Sequence, residues 1–144
     1  MKVLSSLICQ TSIQDEATKN VSLINVIDQL NVSLDNNTRS EDGLLRLPFF
    51  FELVTHLHGD DIRGKKYQIV IETRDPEDIL LNSNTHEVLV PSDKKRFRLT
   101  MKVAGITLSK SGTYVLRLIL TESGSKSESV IIDTPLDVII DIKK

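Results

Sequence analysis

The stretch KRFRLTMKV, residues 95–103, alternates strictly: Phe97, Leu99, Met101 and Val103 are apolar, and Arg96, Arg98, Thr100 and Lys102 are polar. Successive side chains of a strand point to opposite faces of its sheet, so this alternation predicts a strand with one face in a core. The pattern recurs. Residues 113–121, TYVLRLILT, put Tyr114, Leu116, Leu118 and Leu120 on one face. FFFELVTHLH at 49–58 does so with Phe49, Phe51, Leu53 and Leu57, and YQIVIET at 67–73 with Tyr67, Ile69 and Ile71. Further strands are expected over 2–9, over 21–34 with a break near Asp28, and over 87–90, 129–133 and 136–142. Pro135 separates the last two and, having no N–H for a ladder, marks an edge, a bulge or a kink.

Turn chemistry lies between these runs: DNNTRSEDG at 35–43, GDDIRGKK at 59–66, DPED at 75–78, LNSN at 81–84, SKSG at 109–112 and SGSK at 123–126. The 35–43 loop is polar and long for a hairpin, which makes it the expected mobile segment. Helical periodicity is almost absent. Short strands joined by turns predict an all-β fold, an antiparallel two-sheet β-sandwich, as one domain over 1–144.

Composition narrows the function classes. A chain of 144 residues can bury one real core. A net charge of −2 gives no overall pull toward nucleic acid or an anionic membrane, and four Phe, two Tyr and no Trp leave few platforms for stacked bases. Cys9 is the only cysteine, so there is no internal disulfide, which fits a reducing compartment. The start, MKVLSSLIC, mimics a lipoprotein signal, but its apolar run of about six residues is below the roughly 7–15 of a signal core. Ile8 also stands where cleavage wants a small side chain. Residues 2–9 therefore read as a strand, the location as cytoplasmic, and no segment as a membrane span.

Residues 96–114, RFRLTMKVAGITLSKSGTY, resemble the stretch leading into the penultimate strand of immunoglobulin-like sandwiches. The resemblance implies an immunoglobulin-like second half in which the Tyr114 hydroxyl turns back onto the preceding corner. Leu116 stands where antibody domains carry a cysteine, and there is no core Trp, so it implies the sandwich and not an antibody relative. Over most of its length the chain is also similar to a family of small bacterial proteins of unknown function. The shared segments are the N-terminal strand ending near Cys9, SLINVID (22–28), LPFFFELV (47–54), GKKYQIVIETRDPED (64–78) and GTYVLRLIL (112–120). That family implies no activity.

The chemistry-bearing residues are few. In THLHGDD, His56 and His58 alternate on one face at a spacing that could share a zinc, with Asp60 as a third candidate. That face is opposite the core residues and Gly59-Asp60-Asp61 is ordinary turn chemistry, so no metal and no cofactor are expected. A calcium site joining Asp60 and Asp61 to Asp75 and Asp78 is excluded if 48–58 and 66–74 form a hairpin, since the pairs then sit about 30 Å apart. Lys94, Lys95, Arg96, Arg98 and Lys102 form a basic stripe on one strand, a possible polyanion contact or simply a solvated face. Nucleic acid is disfavoured by the missing aromatics. No nucleophile elbow, P-loop or dinucleotide glycine pattern occurs, and Cys9 reads as a packed small hydrophobe, so no catalytic residue is assigned.

Apolar residues on faces that should be polar carry the leading expectation. Phe50, Val54, Val70, Val115 and Ile119 lie off the core side of their strands. If 49–58 and 113–121 are neighbours in one sheet, they form a contiguous patch, rimmed by Glu52, His56 and Arg117, for a protein partner or a homo-oligomer. The alternative is cover by the chain's own 35–46 loop, through Leu44 and Leu45. The expected function is therefore a non-enzymatic cytosolic binding or assembly module working through protein contacts. A polyanion binder through 94–102 ranks second, and a metal-dependent enzyme using His56 and His58 third.

Overall fold

The computed structural model describes residues 1–35, 42–124 and 128–143. These form β1 (Lys2–Gln14), β2 (Val21–Val26), β3 (Gln29–Asp35), β4 (Leu45–His58), β5 (Lys66–Arg74), β6 (Leu80–Leu89), β7 (Arg96–Leu108), β8 (Gly112–Glu122) and β9 (Val130–Lys143), with a single 3-10 turn at Asp60–Ile62. The first sheet has the order β2-β1-β4-β7 and the second β3-β9-β8-β5-β6. This is an all-β, two-sheet sandwich. Between the sheets lie Leu53, Leu57, Leu99 and Met101 from one side and Ile69, Ile71, Tyr114, Leu116, Leu118 and Leu120 from the other, all at most 9% exposed. The inward residues of the alternating runs are therefore the core.

Several strands differ from the sequence expectation. β1 continues past Cys9 to Gln14, because beyond Cys9, where it leaves β4, it stays paired with β2. The run 21–34 does break at Ile27 and Asp28, and its halves join different sheets. LNSN at 81–84 is not a turn but part of β6, a polar edge strand that needs only the β5 backbone beside it. β9 runs unbroken through Pro135. At that point only β8 flanks it, since pairing with β3 begins at Asp137, so the missing N–H costs no ladder bond. The β3–β9 pair is parallel, the one departure from antiparallel pairing among the described strands.

Two expectations about neighbours are corrected. Residues 48–58 and 66–74 are not a hairpin, because β4 and β5 belong to different sheets and 59–65 crosses between them. β4 and β8 are likewise in different sheets. Alternation in a sequence fixes which side chains point inward but not which strand lies alongside, and that is why both pairings were misjudged. Most of the 35–43 loop lies outside the described residues. Leu45, a candidate to cover the outer patch, is instead a core residue at 3% exposure.

Candidate functional site

β4 is the central element of the first sheet, flanked by β1 and β7 along its second half. On its outer face the register sets Ser5, His56 and Arg98 in one row, Leu7, Val54 and Thr100 in the next, and Cys9, Glu52 and Lys102 in the third. Beyond Cys9, β1 turns away from β4 with β2. The turn joining them is fixed by Asp15, whose carboxylate accepts from the N–H groups of Ala17 (2.9 Å) and Thr18 (2.8 Å), bonds that hold Asp15 below the usual carboxylate range.

That hairpin shapes a cleft. Gln14, Lys19, Asn20 and Val21 of its distal end line the same depression, of about 790 Å³, as Leu4, His56, Arg96, Phe97 and Arg98. A straight strand would hold Leu4 and Gln14 roughly 33 Å apart at ~3.3 Å per residue, so the hairpin bends back toward the β4–β7 end. Its lining carries Lys19, Lys94, Arg96 and Arg98 and, among the described residues, no carboxylate. Among the described residues no carboxylate lies within salt-bridge reach of Lys19, Arg96 or Arg98, while Lys94 has Asp93 at 4.0 Å. His56 is hydrogen-bonded to Ser5 Oγ through Nδ1 at 3.1 Å. Burial first, and the Arg98 charge second, hold its imidazole below the ordinary pKa. It sits in a field that already favours negative charge.

The basic stripe is thus divided. Lys94, Arg96 and Arg98 face the cleft. Lys95 turns to Asp60 at 3.8 Å, and Lys102 lies further along β7, opposite Glu52. Lys19 belongs to the cleft and was missed, because only the bend of the hairpin brings it to β7; nothing in the local sequence signals that.

The five off-core apolar residues do not form one patch. Phe50 and Val54 are on β4 of the first sheet, whereas Val70, Val115 and Ile119 are on β5 and β8 of the second. Val54 is 1% exposed and so offers no surface to a partner. On the first sheet's outer face Phe50 is joined by Leu7, Ile24 and Val26, which are 70%, 40%, 41% and 48% exposed respectively. On the second sheet Val70, Ile119 and Ile131 make a cross-strand row beside the paired Glu72, Arg117 and Asp133. Arg117 grips Asp133 with two bonds, of 2.8 and 3.0 Å, and so holds that carboxyl below its usual range.

A smaller hollow of about 310 Å³ opens where β1 leaves β4, lined by Gln10, Phe50, Glu52, Lys102 and Ala104. Glu52 is 7% exposed, and its Oε2 has no hydrogen-bond partner among the described residues. Next to it Cys9 is fully buried, and burial together with the Glu52 charge pushes its thiol pKa up, away from nucleophilic thiolate. Among the described residues no group of three or more His, Cys, Asp or Glu side chains converges on a metal position. Asp60 is turned to Arg63 and Lys95, and Asp75 caps its own turn by accepting from Glu77 and Ile79. No protein-family model and no curated protein matches this chain.

Proposed function

We propose that the chain is a non-enzymatic binding module of immunoglobulin-like arrangement, acting through protein contacts of an exposed sheet face. One observation carries this reading: Leu7, Ile24, Val26 and Phe50 share the outer face of the first sheet and each is at least 40% exposed. Water gains by losing such a surface, and isolated domains rarely leave a grouped apolar face uncovered. The immunoglobulin-like description is supported by the parallel β3–β9 edge and by the corner that Tyr114 makes with Lys110. The order of its strand motifs supports kinship with the small bacterial proteins named above, and the lone buried thiol supports a cytoplasmic setting. Sedimentation velocity over a concentration series tests the self-association version. Wild-type protein is expected to shift toward dimer while Phe50→Ser with Ile24→Ser stays monomeric; identical monomer behaviour of both removes a second copy as the partner.

A second reading, anion binding through the basic strand, is favoured by one specific feature. The arginines of β7 line a cleft to which none of the described acidic residues contributes. Salt-sensitive retention on heparin, lost in Arg96→Gln with Arg98→Gln, is the expected outcome; passage of wild type through the column unretained would remove it.

A further inference from the structure

We infer that the cleft between the β1–β2 turn and the β4–β7 end is a binding site for a compact organic phosphate, an anionic group joined to an apolar body. The inference rests on the anion-binding reading of the basic strand and narrows it from an extended polyanion to a bounded ligand. Four cations, Lys19 of the β1–β2 turn and Lys94, Arg96 and Arg98 of the stretch that opens β7, come from two separate chain segments to one depression of about 790 Å³. Lys19, Arg96 and Arg98 have no carboxylate within salt-bridge reach among the described residues, and like charges gathered in this way are a cost to the free protein that a dianion relieves. Arg96 and Arg98 alternate along β7, so both guanidinium groups leave the same side of the strand about 6.5–7 Å apart, a span that one phosphate group can bridge. Beside the cations and the polar Gln14, Asn20 and His56, the wall has an apolar part made of Leu4, Val21, Pro91 and Phe97, which suits an aromatic or aliphatic body joined to the anion.

His56 gives the site a reporter. It faces Ser5 on β1 and Arg98 on β7, shares the cleft with Lys19, Lys94 and Arg96, and has no carboxylate within salt-bridge reach among the described residues. A bound phosphate would be the first negative charge beside it, and would favour the imidazolium. Binding therefore strengthens as pH falls through the histidine range, and the His56 pKa rises on binding.

The experiment titrates the full chain with phenyl phosphate, inorganic phosphate and phenol, following the His56 ring signals by NMR. Saturable binding of phenyl phosphate, tighter than that of inorganic phosphate, with phenol silent and the His56 pKa raised, is the expected result. Arg96→Gln with Arg98→Gln is expected to weaken binding by at least about tenfold, the size of one lost charge-assisted contact, while Lys102→Gln on the same strand leaves it unchanged. An equal loss in Lys102→Gln overturns the cleft in favour of a diffuse field along β7. Heparin retention without saturable phosphate binding also overturns it, yet leaves the broader anion-binding reading standing. Absence of both removes the two together. The His56 shift is read in wild-type protein, so a variant that folds poorly does not shield the inference.

Discussion

Tyr114 shows how much one side chain can fix. It is fully buried, and its hydroxyl accepts from the N–H groups of Ser109 (2.8 Å) and Lys110 (3.0 Å) while donating to the Lys110 carbonyl at 2.6 Å. The 109–112 corner has no ladder of its own, so the phenol stands in for one. Tyr114→Phe leaves two N–H groups and a carbonyl unpaired in a partly buried place, and is expected to cost about 1–3 kcal/mol. Urea unfolding checks this as a lower midpoint at an unchanged slope. His56 makes a prediction of opposite origin. Its folded-state pKa lies below that of the unfolded chain, so as pH falls past about 6.5 the unfolded chain binds the proton first and stability drops. Above that range the two states hold the same number of protons and there is no penalty. His56→Asn is expected to flatten the stability profile between about pH 7 and 5; an unchanged slope would assign the loss to other groups. Both residues could be picked out in the sequence, Tyr114 by its place at the head of an alternating strand and His56 by its off-core parity. The cations around His56 were only half legible, because Arg98 shares its row and Arg96 stands in the next one, opposite His58, while Lys19 reaches it through a bend.

Among the elements, the strands that bury one face announced themselves, β7 at a sheet edge included, and the polar edge strand β6 did not over most of its length. β6 carries Asn82, Ser83, Asn84 and Thr85, all exposed, so its pairing with β5 rests on backbone bonds that leave no mark on side-chain pattern. Pro135 suggested a break that the sheet avoids simply by having no second neighbour at that position. The joint between β5–β6 and β7–β8 is a place where an element depends on a single atom. Gly112 opens β8 at φ 146°, and a Cβ built there would stand 2.5 Å from Pro76 Cγ and 2.9 Å from Pro76 Cβ. Close beside it, the Lys110 ammonium donates to Glu77, tying the two turns further. Gly112→Ala is therefore expected to destabilise by about 1–3 kcal/mol, through backbone strain and overlap together. Adding Pro76→Ala removes the Cγ contact and should recover part of the loss. Simple additivity in thermal melts of the two single variants and the double variant would mean that the turns are not in contact in this way.

At the scale of the molecule, the question is what registers one sheet against the other. The chain changes sheets between β2 and β3, β3 and β4, β4 and β5, β6 and β7, and β7 and β8, so no sheet is built from a continuous piece. Apolar packing supplies cohesion but little direction, and a polar device between the sheets supplies it. Thr134 of β9 donates to Ser6 Oγ of β1 at 2.8 Å, and Ser6 Oγ bonds the hydroxyl of Thr55 on β4 at 2.9 Å. Thr55 is fully buried and Thr134 is 6% exposed, so water cannot replace either partner cheaply. The chain of hydroxyls crosses from the second sheet to the first at the side where β1 meets β9, and it is satisfied only in one alignment of the two. Ser6→Ala should then cost about 1–3 kcal/mol, more than the methylene-sized change suggests, because it strands two buried hydroxyls at once. Thr134→Val alone should cost a similar amount through the loss of its donor to Ser6. With Ser6→Ala already present, however, Thr134→Val takes away a group that has no partner and should cost almost nothing further. A double-mutant cycle by urea unfolding reads that difference as a coupling between β1 and β9; a cycle that closes additively would leave the alignment of the sheets to shape complementarity alone.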